Sequence, residues 1–328
     1  MVKIAVIGAG LGGLIAARLL NNLADVSVFE KARGVGGRMS TRRSEPYFFD
    51  HGAQYFTVQS DLFQGFINPL IARGVIENWK ARCVHLDGAQ IAERRKNVAD
   101  ELYYVGVPGM NSVAKFLAED LSISLNTKIT KLEHDIKWNM TDETGRVYNG
   151  FDWVISSIPA PQAADLIPKT FKYHKDISRI EMRGCYALML GFGHSLSLGL
   201  DAAHVMNSDL SWIAVNNHKP GRSGAESLIV HSSEDYADTH IEDDRMDVMR
   251  HMVTETSRVL GQDIDCADYK TIHLWRYAKA GLADHIDQIL LDDESKLAVC
   301  GDWCVGTGVE DAFTSAYNLA NKIKELAP

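Results

Sequence analysis

Apolar positions recur along this chain with two periods. Residues 2–7 (VKIAVI) are a short β-branched run ending in glycines at 8, 10, 12 and 13, the pattern of a central parallel strand. Residues 14–23 place Leu14, Ala17 and Leu20 on one stripe, with Ala16, Leu19 and Leu23 beside it, which is helical spacing. Residues 25–30 (DVSVFE) return to strand and complete a βαβ unit. Beyond Thr57 the pattern predicts a helix over 61–71, then short strand-like pieces over 76–90, read as an excursion from the first sheet. A helix over 111–119 and an alternating run over 123–132 follow. Residues 136–140 and 146–148 read as a hairpin, and residues 151–158 (FDWVISSI) as a buried strand stopped by Pro159 and Pro161. Strands are expected at 186–192 and 227–231, a last one at 297–300 (LAVC), and a terminal helix reaching about Leu326.

Composition narrows the class. The 328 residues are 46% hydrophobic and 23% charged, which suits one large or two ordinary globular domains and excludes a disordered chain. Lys and Arg number 34 against 43 Asp and Glu, a net charge of −9, and no basic run provides the field that nucleic acid requires. No apolar stretch approaches the roughly 18 residues of a membrane helix, and with a strand pattern starting at Val2 no cleavable leader is expected. Cys83, Cys185, Cys266, Cys300 and Cys304 are too few and too scattered for a disulfide framework, so a reducing, cytoplasmic setting is expected. Cys300 and Cys304 lack the spacing of a zinc or redox pair, and no metal site is expected.

Gly8, Gly10 and Gly13 fit the dinucleotide fingerprint. The first permits the tight turn, the second lets a pyrophosphate approach the backbone, and the third brings helix and strand together. Strand and helix flank the motif as it requires. Glu30, at the end of the second strand, is placed to accept hydrogen bonds from a ribose, and the helix N-terminus is placed to hold the pyrophosphate. The fingerprint alone does not separate a flavin from a nicotinamide dinucleotide.

Residues 30–41 (EKARGVGGRMST) resemble the second glycine motif of the flavin amine oxidase superfamily. Residues 297–316 (LAVCGDWCVGTGVEDAFTSA) match its closing strand, Gly-Asp pair and helix. Asp50-His51-Gly52-Ala53-Gln54-Tyr55-Phe56, with Val107 to Met110, is similar to the renalase-like branch of that superfamily, and the resemblance extends over most of the chain. It implies an α/β fold: a two-domain flavoprotein with a discontinuous Rossmann-like FAD-binding domain (1–57, 105–160 and 290–328) and an α+β substrate domain with a mixed sheet (58–104 and 161–289).

By the same resemblance the cofactor is non-covalent FAD. Lys31, Gly37 and Arg38 would lie beside the diphosphate, Ile129 near adenine, and Gly301 and Asp302 near the ribityl chain. Gly308, Val309 and Glu310 would open a helix aimed at the flavin edge. The implied reaction is oxidation of 2- or 6-dihydro isomers of NAD(P)H to NAD(P)+, with dioxygen taking the electrons and leaving as hydrogen peroxide.

Tyr55, His231 and Arg276 are the candidate catalytic residues, and Gln54, Tyr277 and Trp303 the candidate substrate pocket. Each has a structural alternative: core packing for Tyr55, Gln54 and His231, an interdomain salt bridge for Arg276, and an aromatic wedge between domains for Tyr277 and Trp303. Two other functions share the cofactor motifs, a flavin amine oxidase acting on a small amine and a non-catalytic nucleotide-binding regulator.

Overall fold

The computed structural model describes residues 1–94, 102–281, 286 and 289–326. The expected substrate-domain stretches at 95–101, 282–285, 287 and 288 lie outside the described residues. The β-branched runs assemble a six-stranded sheet in the order Leu290–Asp292, Leu297–Val299, Trp153–Ser156, Lys3–Ile7, Asp25–Phe29, Ser122–Ser124. Its strands are parallel except Leu290–Asp292, which runs antiparallel along one edge. Fully buried Ala5, Val6, Val154 and Ile155 occupy the middle, so these strands read as continuous apolar runs because both faces are covered.

Two helices from opposite ends of the chain pack against each other on this sheet: Leu11–Leu20 and Val309–Leu326. The amide of Cys300 donates to Ser156 O at 2.9 Å, which seats the C-terminal motif beside strand Trp153–Ser156. The cofactor lobe is therefore discontinuous, as the sequence implied.

A second, seven-stranded sheet has the order Tyr269–Ala280, Met182–Phe192, Glu226–Ser232, Leu210–Val215, Ala202–Met206, Cys83–Asp87, Gln90–Arg94. All neighbours are antiparallel except Ala202–Met206 with Cys83–Asp87. One face carries Leu188, Leu190, Ile213, Val230 and Leu274, packed with Val248, Met252 and Val253 of the Arg245–Leu260 helix. The opposite face turns toward the first lobe.

The excursion expected after Thr57 divides. Helix Asp61–Ala72 stays with the cofactor lobe, because Phe63 and Phe66 stack near Phe313 of the C-terminal helix, at 5.2 and 4.6 Å between ring centres. Only Cys83–Asp87 and Gln90–Arg94 cross to the second sheet. Pro159 and Pro161 do end the buried strand, and they also start a helix, Ala160–Leu166, in whose first turn a missing N–H costs nothing. The alternating run 123–132 breaks into Ser122–Ser124 and Ile129–His134, which belong to different sheets. No helix of the described residues is long and apolar enough to cross a membrane.

Candidate functional site

The glycine turn shows what each position is for. Gly8 has φ +103, and a Cβ there would stand 2.7 Å from Ser157 O; a Cβ on Gly13 would fall 2.0 Å from Gly8 O. These two glycines are demanded by the protein's own backbone. Gly10 is different: a Cβ would meet nothing within 4 Å, so the space beside it is open. Gly10 also caps the Leu11–Leu20 helix without any side-chain hydrogen bond, leaving first-turn amides for a phosphate oxygen. The Gly36–Met39 turn comes against this loop through a bridge between Gly10 and Gly36 and the bond from Gly36 N to Ala9 O, which brings Gly37 and Arg38 to the same place.

Glu30, 7% exposed, accepts from Ala9 N at 2.7 Å through one oxygen and from Ala32 N at 2.8 Å through the other. The carboxylate is thereby pinned beside the glycine loop, with lone pairs left on both oxygens for a diol. Arg38 reaches Asp302 by two bonds, of 2.5 and 2.7 Å, and gives a third to Ala278 O at 2.9 Å. One guanidinium thus ties the N-terminal motif, the C-terminal motif and the second sheet. The open space at Gly10, the uncapped helix and the fixed Glu30 fit the adenosine diphosphate half of FAD. When bound, FAD supplies hydride acceptance at N5.

The other expected cofactor contacts are placed as follows. Lys31 extends to Gln162 Oε1 at 3.3 Å on the exposed rim, and Ile129 is buried at the head of its strand. Gly301 lies against the Trp303 ring, where a Cβ would come within 2.6 Å of the indole nitrogen. Val309 opens the terminal helix. Its first turn already holds carboxylates: Asp311 accepts from Thr307 N and Gly308 N, while Glu310 turns away to Gln59 N and Ser60 Oγ. Glu310 therefore joins two helices rather than facing the cofactor loop.

The face of the second sheet turned toward this cradle carries a transverse row of side chains. Strand register sets His273 opposite Ala187, Ala187 opposite His231, His231 opposite Trp212, Trp212 opposite His204, and His204 opposite His85. At about 4.8 Å per strand the row spans roughly 24 Å. Loop 51–55 of the cofactor lobe runs along it. His51 stacks on Trp275 at 5.2 Å and meets His273 edge-on at 5.1 Å; Gln54 Nε2 lies 3.3 Å from His231 Nε2; Tyr55 packs 5.2 Å from Trp212.

Behind Gln54 stands a buried charge cluster. Lys219 Nζ, with no exposed side-chain surface, donates to Gln54 Oε1 at 3.1 Å and lies 3.6 Å from Asp50, which Arg222 also contacts at 2.5 Å. Because Gln54 Oε1 faces an ammonium, its amide nitrogen must face the carbonyls of Asp50 and Gly52 and the ring of His231. His231 Nε2 consequently carries no proton. Burial acts to raise the pKa of Asp50, but Lys219 and Arg222 hold it below the ordinary carboxylate range. Burial brings Lys219 down to about 8, with Asp50 opposing.

Three histidines of the seam, His51, His231 and His273, are neutral. Burial lowers His51 to about 3, helped by His273 and Arg42; burial and then Lys219 lower His231 to about 4; burial and then Arg42 lower His273 to about 4.

The structure brings Tyr55, Gln54 and His231 together at this seam. It does not bring Arg276 there: the side chain pairs with Glu242 at 2.6 Å on an exposed part of the substrate lobe, an ion pair within one lobe rather than between two. Tyr277 is half-buried beside it. Trp303, 5% exposed, donates to Ile158 O at 3.1 Å and packs in the core of the cofactor lobe instead of lining an open cavity. Residues assigned no site role from the sequence are His51, Asp50, Trp212, Lys219, Arg222, His273, His204 and His85. The four row histidines did carry a signal, since each stands between a preceding apolar residue and a residue of the buried face: VHL at 84–86, AHV at 203–205, VHS at 230–232 and IHL at 272–274.

Comparison with known proteins agrees with this geometry. Residues 6–70 match the NAD(P)-binding Rossmann-like domain. A 51-residue segment is 49% identical to 4,4'-diapophytoene desaturase (4,4'-diaponeurosporene-forming) of Staphylococcus aureus strain Newman, and equally to that of strain USA300; it spans 15% of this chain and 10% of those relatives. Among solved structures, one described as a protoporphyrinogen oxidase from Exiguobacterium sp. 255-15 superposes with TM-score 0.78 at 13% identity, over 99% of both chains. A triple mutant of putrescine oxidase superposes with TM-score 0.75 at 13% identity, again over 99% of both. These likenesses show the two-lobed fold. The cofactor of this cradle is FAD. With residues 61–324 matching the flavin containing amine oxidoreductase family, the chain belongs to that family.

Proposed function

We propose that this protein is an FAD-dependent oxidase that takes hydride from 2- or 6-dihydro isomers of NAD(P)H, with the FAD held non-covalently. The products are NAD(P)+ and, with dioxygen as electron acceptor, hydrogen peroxide. The observation that carries this reading is the charge of the seam: His51, His231 and His273 held neutral by burial, no carboxylate within the row, and one buried carboxylate, Asp50, against two buried cations, Lys219 and Arg222. A protonated amine entering such a seam meets net positive charge and no anionic partner. A flat, uncharged dihydropyridine meets stacked rings and neutral hydrogen-bonding groups.

The chain's part in this reaction is positioning. Dihydropyridine aromatisation drives hydride loss, so no residue must remove a proton from carbon. Gln54, locked by Lys219, fixes the His231 ring; His51 packs on Trp275 to one side of it, and Tyr55 on Trp212 to the other. The surplus buried cation favours a site that becomes negative on reduction. The five free thiols suit a reducing, cytoplasmic compartment.

The test is anaerobic mixing of the yellow holoenzyme with the dihydro-NAD(P) isomers and, separately, with small amines, followed at the flavin absorbance band. Rapid bleaching by a dihydropyridine, with peroxide on admitting air, is expected. Bleaching by amines alone would overturn the proposal.

A further inference from the structure

Four buried side-chain polar atoms of the described residues have no hydrogen-bond partner, and three of them lie in the seam: His51 Nδ1, Trp212 Nε1 and His85 Nε2. The last two flank His204 in the transverse row, with ring centres 4.6 and 5.1 Å from it. Tyr55 and Tyr103, whose rings lie 4.2 Å apart, wall the same end. A buried donor left without an acceptor is unfavourable, and a ligand that supplies the acceptor recovers that cost. Trp212 is 5% exposed, so bulk water does not compensate it.

We propose that this end of the row is the recognition subsite for a primary carboxamide on the flat ring of the substrate. The inference rests on the dihydropyridine reading above and names the groups that read the ring's substituent. The indole N–H of Trp212 is a donor only, so its ligand atom is an acceptor. The proposal assigns the His85 proton to Nδ1, so that Nε2 accepts an amide N–H. A primary carboxamide offers both, an acceptor oxygen and donor nitrogen on one planar group. Two hydrogen bonds of about 2.9 Å on either side of an amide reach roughly 8 Å, comparable with the two ring-to-ring steps across His204. An ammonium has donors only and leaves Trp212 Nε1 unpaired; with the His85 proton on Nδ1, a carboxylate has acceptors only and leaves His85 Nε2 unpaired. Arg276, a candidate catalytic residue from the sequence, is turned toward Glu242 and leaves this role to Trp212.

The experiment is a titration of the oxidised holoenzyme with nicotinamide and with nicotinate, read as the perturbation of the flavin absorbance band. Nicotinamide is expected to bind about tenfold more tightly than nicotinate, and Trp212→Phe to erase that preference, the size of one buried hydrogen bond. If Trp212→Phe fails to retain FAD, His85→Leu carries the same test. Equal binding of the two probes by the native protein, or an unchanged preference in a variant that keeps its FAD, overturns the subsite. No electron transfer enters this measurement. Bleaching by dihydropyridines without dependence on Trp212 therefore sinks the subsite alone, whereas Trp212-dependent nicotinamide binding without bleaching sinks the hydride reaction alone.

Discussion

Arg38 and Asp302, 264 residues apart, face each other through two nitrogen–oxygen contacts of 2.5 and 2.7 Å, and this pair closes the cofactor lobe. Asp302 is 3% exposed, whereas Arg38 keeps about a third of its side chain in solvent. Asp302→Ala is expected to destabilise the protein by about 1–3 kcal/mol, less than for a fully buried pair, and to lower its FAD content. Arg38→Lys should recover only part of the loss, because an ammonium cannot make the two-armed contact. Thermal unfolding with and without added FAD measures both.

Gly10 and Gly13 separate ligand space from folding space. Gly13→Ala drives a methyl into Gly8 O and is expected to lower the melting temperature of apoprotein and holoenzyme alike. Gly10→Ala meets only open space and should leave the apoprotein as stable as the native chain while weakening FAD binding at least about tenfold. Loss of apoprotein stability in Gly10→Ala would show that the space belongs to the fold.

The buried histidines set an acid limit. His51, His231 and His273 bind their protons in the folded state only near pH 3 to 4, but near 6.5 when unfolded. Between those values the unfolded chain holds more protons, so stability is full above about pH 6.5 and falls as pH drops toward 4. His231 alone contributes on the order of 3 kcal/mol to that fall. His231→Gln, which cannot titrate, should flatten the acid limb of a stability–pH curve recorded by chemical denaturation.

Arg276→Ala is expected to leave the rate of flavin reduction within about twofold of native and the melting temperature unchanged, since an exposed ion pair contributes little. A tenfold loss in reduction rate would place Arg276 in the reaction after all. Stopped-flow reduction under anaerobic conditions gives the answer.

Much of the cofactor lobe was legible because its determinants are local. The βαβ unit, the glycines at 8, 10 and 13 and the carboxylate at Glu30 sit within 30 residues, and each obeys a rule of backbone sterics or helix electrostatics that needs no distant partner. The excursion after Thr57 was less legible. Helix Asp61–Ala72 and strand Cys83–Asp87 both look like ordinary amphipathic elements, and nothing local says that one packs on Phe313 and the other pairs with Ala202–Met206. Trp303 illustrates the same difficulty: adjacency to Asp302 suggested a cavity, but the indole found the carbonyl of Ile158.

The amino-acid order by itself determined the Rossmann-like start, the closing Gly-Asp motif and the demand for a dinucleotide, because those follow from φ angles, helix ends and short spacings. Only tertiary structure decided which side chains share the seam. Strand register aligned His273, His231, Trp212, His204 and His85 from five separate strands, and burial of Asp50 with Lys219 and Arg222 fixed the charge they face. Those are long-range pairings, and their energies depend on what water is excluded once the lobes meet.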